Sequence, residues 1–122
     1  LSVMKVDGPN ISKYGVIVQN NKTGSVTGLI EKPNFENAPS NLASIGRYVL
    51  TPDIFDILRN QTIGVGGEIQ LADSINKQAE NNRVETVLLN GKRFDCGNIQ
   101  GYVEAIKHIA SNYKIVSNYK FD

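Results

Sequence analysis

Short apolar runs punctuated by turn residues occupy the first half of the chain, and helical spacing takes over in the second. Tyr14 to Gln19 is apolar and β-branched, as is Val26 to Ile30; both runs predict strands. Asn20-Asn21-Lys22-Thr23-Gly24 between them has the chemistry of a hairpin loop. Residues 33–41, with two prolines and three asparagines, predict an irregular excursion. Ala43 to Leu50 reads as a third strand interrupted by Gly46, and a glycine inside a strand marks close approach of a ligand or another backbone.

Thr51-Pro52-Asp53 signals a helix start, with a hydroxyl, a proline and an acid in the order a first turn favours. That helix is expected to turn Ile54, Phe55, Ile57 and Leu58 inward and to end near Asn60. After a flexible stretch with Gly64, Gly66 and Gly67, a second helix is expected from about Glu68, with Ile69, Ala72, Ile75 and Ala79 on one face. Val84 to Leu89 predicts a strand, Asn90-Gly91 a tight turn and Lys92 to Asp95 a short return strand. A last helix runs from about Ile99 to Tyr113, its buried stripe formed by Tyr102, Val103, Ile106, Ile109 and Ala110; beyond Lys114 no element is assigned. The order predicts a mixed α/β fold without the regular strand–helix alternation of a complete doubly wound domain.

With 122 residues, the chain is one domain or a piece of a larger one. Thirteen basic and twelve acidic residues are scattered along it, giving a formal charge of +1. No basic stripe forms, so nucleic acid is not expected as a partner. Cys96 is the single cysteine, which excludes an internal disulfide and suits a reducing cytosol. No apolar run approaches the ~18 residues of a membrane span, and no signal peptide is visible. A start at Leu1-Ser2-Val3 reads as a processed terminus or an excerpt of a longer protein.

Two clusters carry candidate chemistry. Glu31-Lys32-Pro33 ends a strand with a carboxylate and an ammonium side by side, and Pro33 is expected to hold Lys32 in an extended exit. Such a pair suits a sugar phosphate, hydroxyls to the carboxylate and phosphate to the ammonium; it is also what a solvated surface ion pair looks like. Asp95-Cys96-Gly97-Asn98 precedes the last helix. Asp95 suits a hard cation such as Mg²⁺, while on local sequence alone the commoner role of Asp95 or Asn98 is to cap the helix. Gly64 to Glu68 lacks the lysine and hydroxyl of a phosphate loop and reads as a linker. No arranged Cys–His pair accompanies Cys96, and His108 falls in mid-helix, so both read as structural. From spacing alone, no enzyme can be named.

Taken in order, the motifs resemble the C-terminal portion of the bacterial UTP–glucose-1-phosphate uridylyltransferases. They are Lys13-Tyr14-Gly15-Val16, Gly28-Leu29-Ile30-Glu31-Lys32-Pro33, Ala38-Pro39-Ser40-Asn41-Leu42-Ala43 with Gly46-Arg47-Tyr48-Val49-Leu50, Gly67-Glu68-Ile69-Gln70-Leu71, and Asp95-Cys96-Gly97-Asn98 with Gly101-Tyr102. The resemblance implies a mixed-sheet part of the Rossmann-like nucleotide-diphospho-sugar transferase fold. It implies that Gly15 lies against the sugar, Glu31 binds sugar hydroxyls, Lys32 binds the sugar phosphate, Gly46 lets its strand approach the sugar, and Asp95 is one of two aspartates holding Mg²⁺. Glucose 1-phosphate and UTP would be the substrates, UDP-glucose and pyrophosphate the products, and the cytoplasm the location.

The family's Gly-rich triphosphate loop and second Mg²⁺ aspartate have no counterpart in this sequence. Residues 1–122 are therefore expected to form a single partial domain, inactive alone, whose uncovered apolar faces favour a homo-oligomer or a partner. The alternatives are a related sugar-phosphate nucleotidylyltransferase, such as a thymidylyltransferase, and a non-catalytic association or regulatory module of the same fold.

Overall fold

A computed structural model describes residues 1–64, 67–81 and 83–113. The expected linker residues Val65 and Gly66 and the tail from Lys114 lie outside the described residues. The chain divides into two units, Leu1–Leu89 and Asn90–Asp122.

The first unit is built on five strands: β1 (Ser2–Lys5), β2 (Gly15–Gln19), β3 (Val26–Glu31), β4 (Leu42–Ser44) and β5 (Val87–Leu88). They lie in the order β3-β2-β4-β1-β5, antiparallel throughout except that β5 runs parallel to β1. Helices α1 (Ile54–Arg59) and α2 (Leu71–Glu80) belong to the same unit.

The apolar run in β2 is continuous because both faces of the sheet are covered. Val3 and Ile17 point with Val26 and Leu29 toward Ile75 and Ala79 of α2. Val16 and Ala43, one residue out of phase with them, pack with Ile11 on the opposite face. Ile11 belongs to a 3₁₀ turn over Gly8–Lys13.

The hairpin is as expected, including its loop, where Asn20 Oδ1 accepts the amides of Lys22 and Thr23. Ser40 and Asn41 explain part of the irregular excursion. Ser40 Oγ donates to the Ile17 carbonyl at 2.7 Å and accepts the Leu42 amide at 3.1 Å, so one hydroxyl ties β2 to the start of β4. The Asn41 carbonyl accepts the Val6 amide, and its side chain donates to Asp7.

Several expectations need correction. The sequence reading passed over β1, a short strand that nevertheless joins β4 to β5. The third strand stops at Ser44, because Gly46 at φ +73° turns the chain out of the ladder. α1 begins at Ile54 and α2 at Leu71, later than Thr51 and Glu68 suggest. The Thr51 hydroxyl donates to the Asp53 carboxylate rather than accepting a helix amide. Ile54 is buried, but Phe55 is 60% exposed. Ile69 precedes α2 and is exposed, whereas Ile75 and Ala79 lie in the core.

Residues 92–95 form no strand. The Val87 and Leu89 amides donate to the carbonyls of Leu1 and Val3, so β5 pairs with β1 instead of with a return strand.

The second unit contains α3 (Ile99–Tyr113), with the bounds the spacing predicts. Its apolar stripe is not buried: Tyr102, Val103, Ile106 and Ile109 are exposed, and Ala110 is half-buried.

Candidate functional site

Strand pairing builds the corner at the end of β3. Gly15 faces Glu31 across the β2–β3 ladder, and the Lys32 amide donates to the Tyr14 carbonyl at 3.1 Å, one step beyond the last paired residues. A side chain at position 15 would be crowded there: an added Cβ would lie 3.0 Å from Glu31 Oε2 and 3.3 Å from Leu29 Cδ1. Glycine thus leaves the Glu31 carboxylate room to lie over the start of β2.

Lys32 does not leave the strand extended. Its φ is +44°, the only positive value among the described non-glycine residues. Pro33 excludes right-handed helical geometry for the residue before it. The bond to Tyr14 then fixes the Lys32 amide while the chain turns sharply away. A left-handed lysine costs about 1–2 kcal/mol and persists only where the surroundings enforce it.

Lys32 Nζ lies 3.7 Å from Glu31 Oε1, with 65% and 55% of the two side chains exposed. A pair that open to solvent contributes little to stability, and both groups remain available to a ligand.

Gly46 shares this end of the sheet. Val16 pairs with Ala43 in the antiparallel β2–β4 ladder, so the chain leaving β4 emerges where β2 begins and β3 ends. Space is open beside Gly46: a Cβ there would meet nothing within 4 Å, so its positive φ is what demands glycine. The structure therefore brings Gly15, Glu31, Lys32 and Gly46 to one end of the sheet in the first unit.

Asp95 belongs to the second unit, before α3. Asp95 Oδ1 accepts the Gly97 amide at 3.1 Å, and Asn98 Oδ1 accepts the Gly101 amide at 2.8 Å. Asn98 is therefore the helix cap, and the Asp95 carboxylate is exposed. Asp95 and the first turn of α3 are packed tightly together: a Cβ on Gly101 would clash with the Asp95 carbonyl oxygen. Cys96 is exposed, and the His108 ring lies 5.2 Å from that of Phe94, tilted by 42°, and contacts Asn112.

As a Mg²⁺ ligand, Asp95 has the right chemistry, a hard oxygen donor held by a backbone amide. Among the described residues, no three His, Cys, Asp or Glu side chains cluster to complete a site. Asp95 by itself would make a poor Mg²⁺ site, and it suits the ion only together with phosphate oxygens and water. No helix among the described residues is long and apolar enough to cross a membrane.

One residue that sequence reasoning missed supports the corner: Asn76 of α2, which bonds the backbone of β3. The available signal was Gly28, a glycine within a strand, whose missing Cβ leaves room for Asn76.

Residues 1–112 match the nucleotidyl transferase family. A UTP–glucose-1-phosphate uridylyltransferase of Pseudomonas aeruginosa is 44% identical over 115 residues, which cover 92% of this chain and 41% of that protein. An apo UDP-glucose pyrophosphorylase structure superposes with a TM-score of 0.81 at 42% identity, covering 92% of this chain and 42% of its own. A second, complexed with UDP-glucose, gives 0.80 at 42% identity, over 92% and 44%. The chain thus spans about two fifths of the length of the relatives it matches.

Proposed function

The chain belongs to the nucleotidyl transferase family, and from that premise we propose that it is the sugar-phosphate-binding, C-terminal portion of a UTP–glucose-1-phosphate uridylyltransferase. In this reading residues 1–122 are one partial domain, and the nucleotide-binding half is supplied by sequence outside them. The observation that carries it is the corner itself, where a carboxylate and an ammonium stand exposed and adjacent, with Lys32 held at φ +44°.

The reaction asks for positioning more than for a protein nucleophile. A phosphate oxygen of glucose 1-phosphate attacks the α-phosphorus of UTP, and the bond to the β-phosphate breaks, so pyrophosphate leaves with the electron pair. Lys32 holds the attacking phosphate as a compact point charge. Glu31 accepts hydrogen bonds from sugar hydroxyls, and Gly15 and Gly46 leave the sugar close access to backbone. Asp95 would hold Mg²⁺ together with phosphate oxygens; when bound, the ion offsets the charge that develops on phosphate. The reading places the protein in the cytoplasm, and the exposed stripe of α3 suits association, a homo-oligomer included.

The test replaces the matching segment of the P. aeruginosa relative with residues 1–122. With UTP, glucose 1-phosphate and Mg²⁺, the chimera is expected to form UDP-glucose. Lys32→Ala should lower kcat/KM for glucose 1-phosphate by about 10²-fold, the scale of one lost charge-stabilising contact. The 122-residue chain alone should form none. Unchanged turnover in the Lys32→Ala chimera would favour a non-catalytic module, and preference for another nucleotide would favour a related nucleotidylyltransferase. Product formed by the isolated chain at an enzyme-like rate would sink the idea of a partial site.

A further inference from the structure

β3 is an outer strand of the sheet. On its unpaired side, Leu29 would present a free amide and a free carbonyl, yet both are taken. Asn76 Oδ1 accepts the Leu29 amide at 2.7 Å, and Asn76 Nδ2 donates to the Leu29 carbonyl at 3.1 Å. One carboxamide therefore does for Leu29 what a residue of a neighbouring strand would do. The neighbouring positions are shaped around this contact. A Cβ on Gly28 would lie 3.3 Å from Asn76 Oδ1, tight enough to push the amide away. Ile75 and Ala79 of the same helix are packed with Leu29 in the core, so the helix carrying Asn76 cannot easily shift.

Leu29 is two residues before Glu31 and three before Lys32. The left-handed Lys32 needs its neighbours to enforce it, and two restraints flank the end of β3: the Tyr14 carbonyl on the β2 side and Asn76 on the other. Without Asn76, two part-buried backbone groups lose their partners, and the strand end is held from one side only.

We propose that Asn76 is a positioning residue for the Glu31-Lys32 corner, fixing the end of β3 so that carboxylate and ammonium are presented together to a sugar phosphate. The ligand in this statement rests on the function proposed above; the positioning of the backbone does not.

The experiment uses the chimera described above, ¹⁵N-labelled, with Asn76 intact and as Asn76→Ala. It follows three readouts: exchange of the Leu29 amide, the Lys32 HN–Hα coupling that reports φ, and a titration with glucose 1-phosphate monitored at Glu31 and Lys32. Asn76→Ala should speed Leu29 exchange roughly tenfold, the order expected from one lost hydrogen bond in a folded protein. It should also shift the Lys32 coupling and weaken binding by a similar factor. Asn76→Asp keeps the acceptor for the Leu29 amide and should recover part of each effect.

A folded Asn76→Ala chain with faster Leu29 exchange but an unchanged Lys32 coupling would overturn the proposal. Should Asn76→Ala not fold, Gly28→Ala crowds the same amide without removing it, and the coupling decides in the same way. If the chimera with Asn76 intact shows no response to glucose 1-phosphate, the sugar-phosphate reading fails, while the coupling still decides the positioning role.

Discussion

The corner at the end of β3 and the start of α3 each hold an exposed carboxylate, but they are built by opposite means. At α3 the corner is shaped by side-chain bonds between near neighbours: Asp95 to Gly97, Asp95 to Asn98, Asn98 to Gly101. At β3 the shaping contacts come from far along the chain, from Tyr14 and Gly15 on one side and Asn76 on the other. The local corner needs only turn chemistry to form. The long-range one exists only once strand register and helix docking are both correct, and only there is a residue held in a strained conformation. Single substitutions should therefore act differently at the two places.

The largest effect is expected at the local corner. Gly101→Ala drives a carbon into the Asp95 carbonyl oxygen, a backbone clash that no side-chain rotation can relieve. The backbone before α3 must move, with a cost of about 3 kcal/mol. Thermal unfolding should show the loss, and the amides of Asp95 to Asn98 should shift while those of Glu31 and Lys32 stay in place. An unchanged melting temperature would mean that the tight approach at Gly101 is not a constraint in solution.

At the long-range corner a substitution should stabilise. Lys32→Gly relieves the left-handed penalty and should raise stability by about 1 kcal/mol, less the greater freedom glycine has in the unfolded chain. Lys32→Ala removes the same charge without the relief and supplies the control. Under the proposed function, both should also weaken glucose 1-phosphate binding in the chimera. Equal melting temperatures for the two variants would show that φ +44° is not strained, and the contrast between the corners would weaken.

The same contrast explains what could be read from the chain beforehand. The bounds of α3 and the hairpin loop follow from local signals, a capping Asn98 and the Asn20 turn. Glu31, Lys32 and Gly46 stand out from their place in or at the end of a strand, Gly15 and the four roles come from an ordered resemblance, and their meeting at one sheet end needs the β2–β3 and β2–β4 registers. β1 was missed because four residues with a polar start and a charged end give too little alternation. The extended Lys32 was the wrong inference from Pro33: the rule that bars right-handed helix leaves the left-handed region open, and a bond to Tyr14 selects it. The stripe on α3 has a true helical period, but periodicity states which face is apolar and not what covers it.

The smallest effect concerns how α2, and with it Asn76, is anchored. Gln78 of α2 donates to Thr51 Oγ1 at 3.1 Å and to Asp53 Oδ2 at 3.3 Å, and the Arg83 guanidinium grips both oxygens of Asp53 at 2.9 and 3.2 Å. The Thr51 hydroxyl above all, with Gln78 and Arg83 adding to it, holds the Asp53 carboxyl below its ordinary value of 3.8. A carboxylate whose value is lower in the folded chain than in the unfolded one adds stability above the unfolded value. That contribution fades as pH falls through the folded value. Asp53→Asn should therefore melt below wild type at neutral pH, with the gap closing as the pH drops below about 4. Thermal melts of both proteins across that range make the comparison, with the other carboxylates shared and cancelling. The same melts followed at the Leu29 amide tie the effect to the β3 corner, because a loosened α2 should expose Leu29 before the amide of Gly101 changes. A gap that stays constant into acid would show that the clamp acts through shape alone, and that α2 is anchored by Ile75 and Ala79 without help from Asp53.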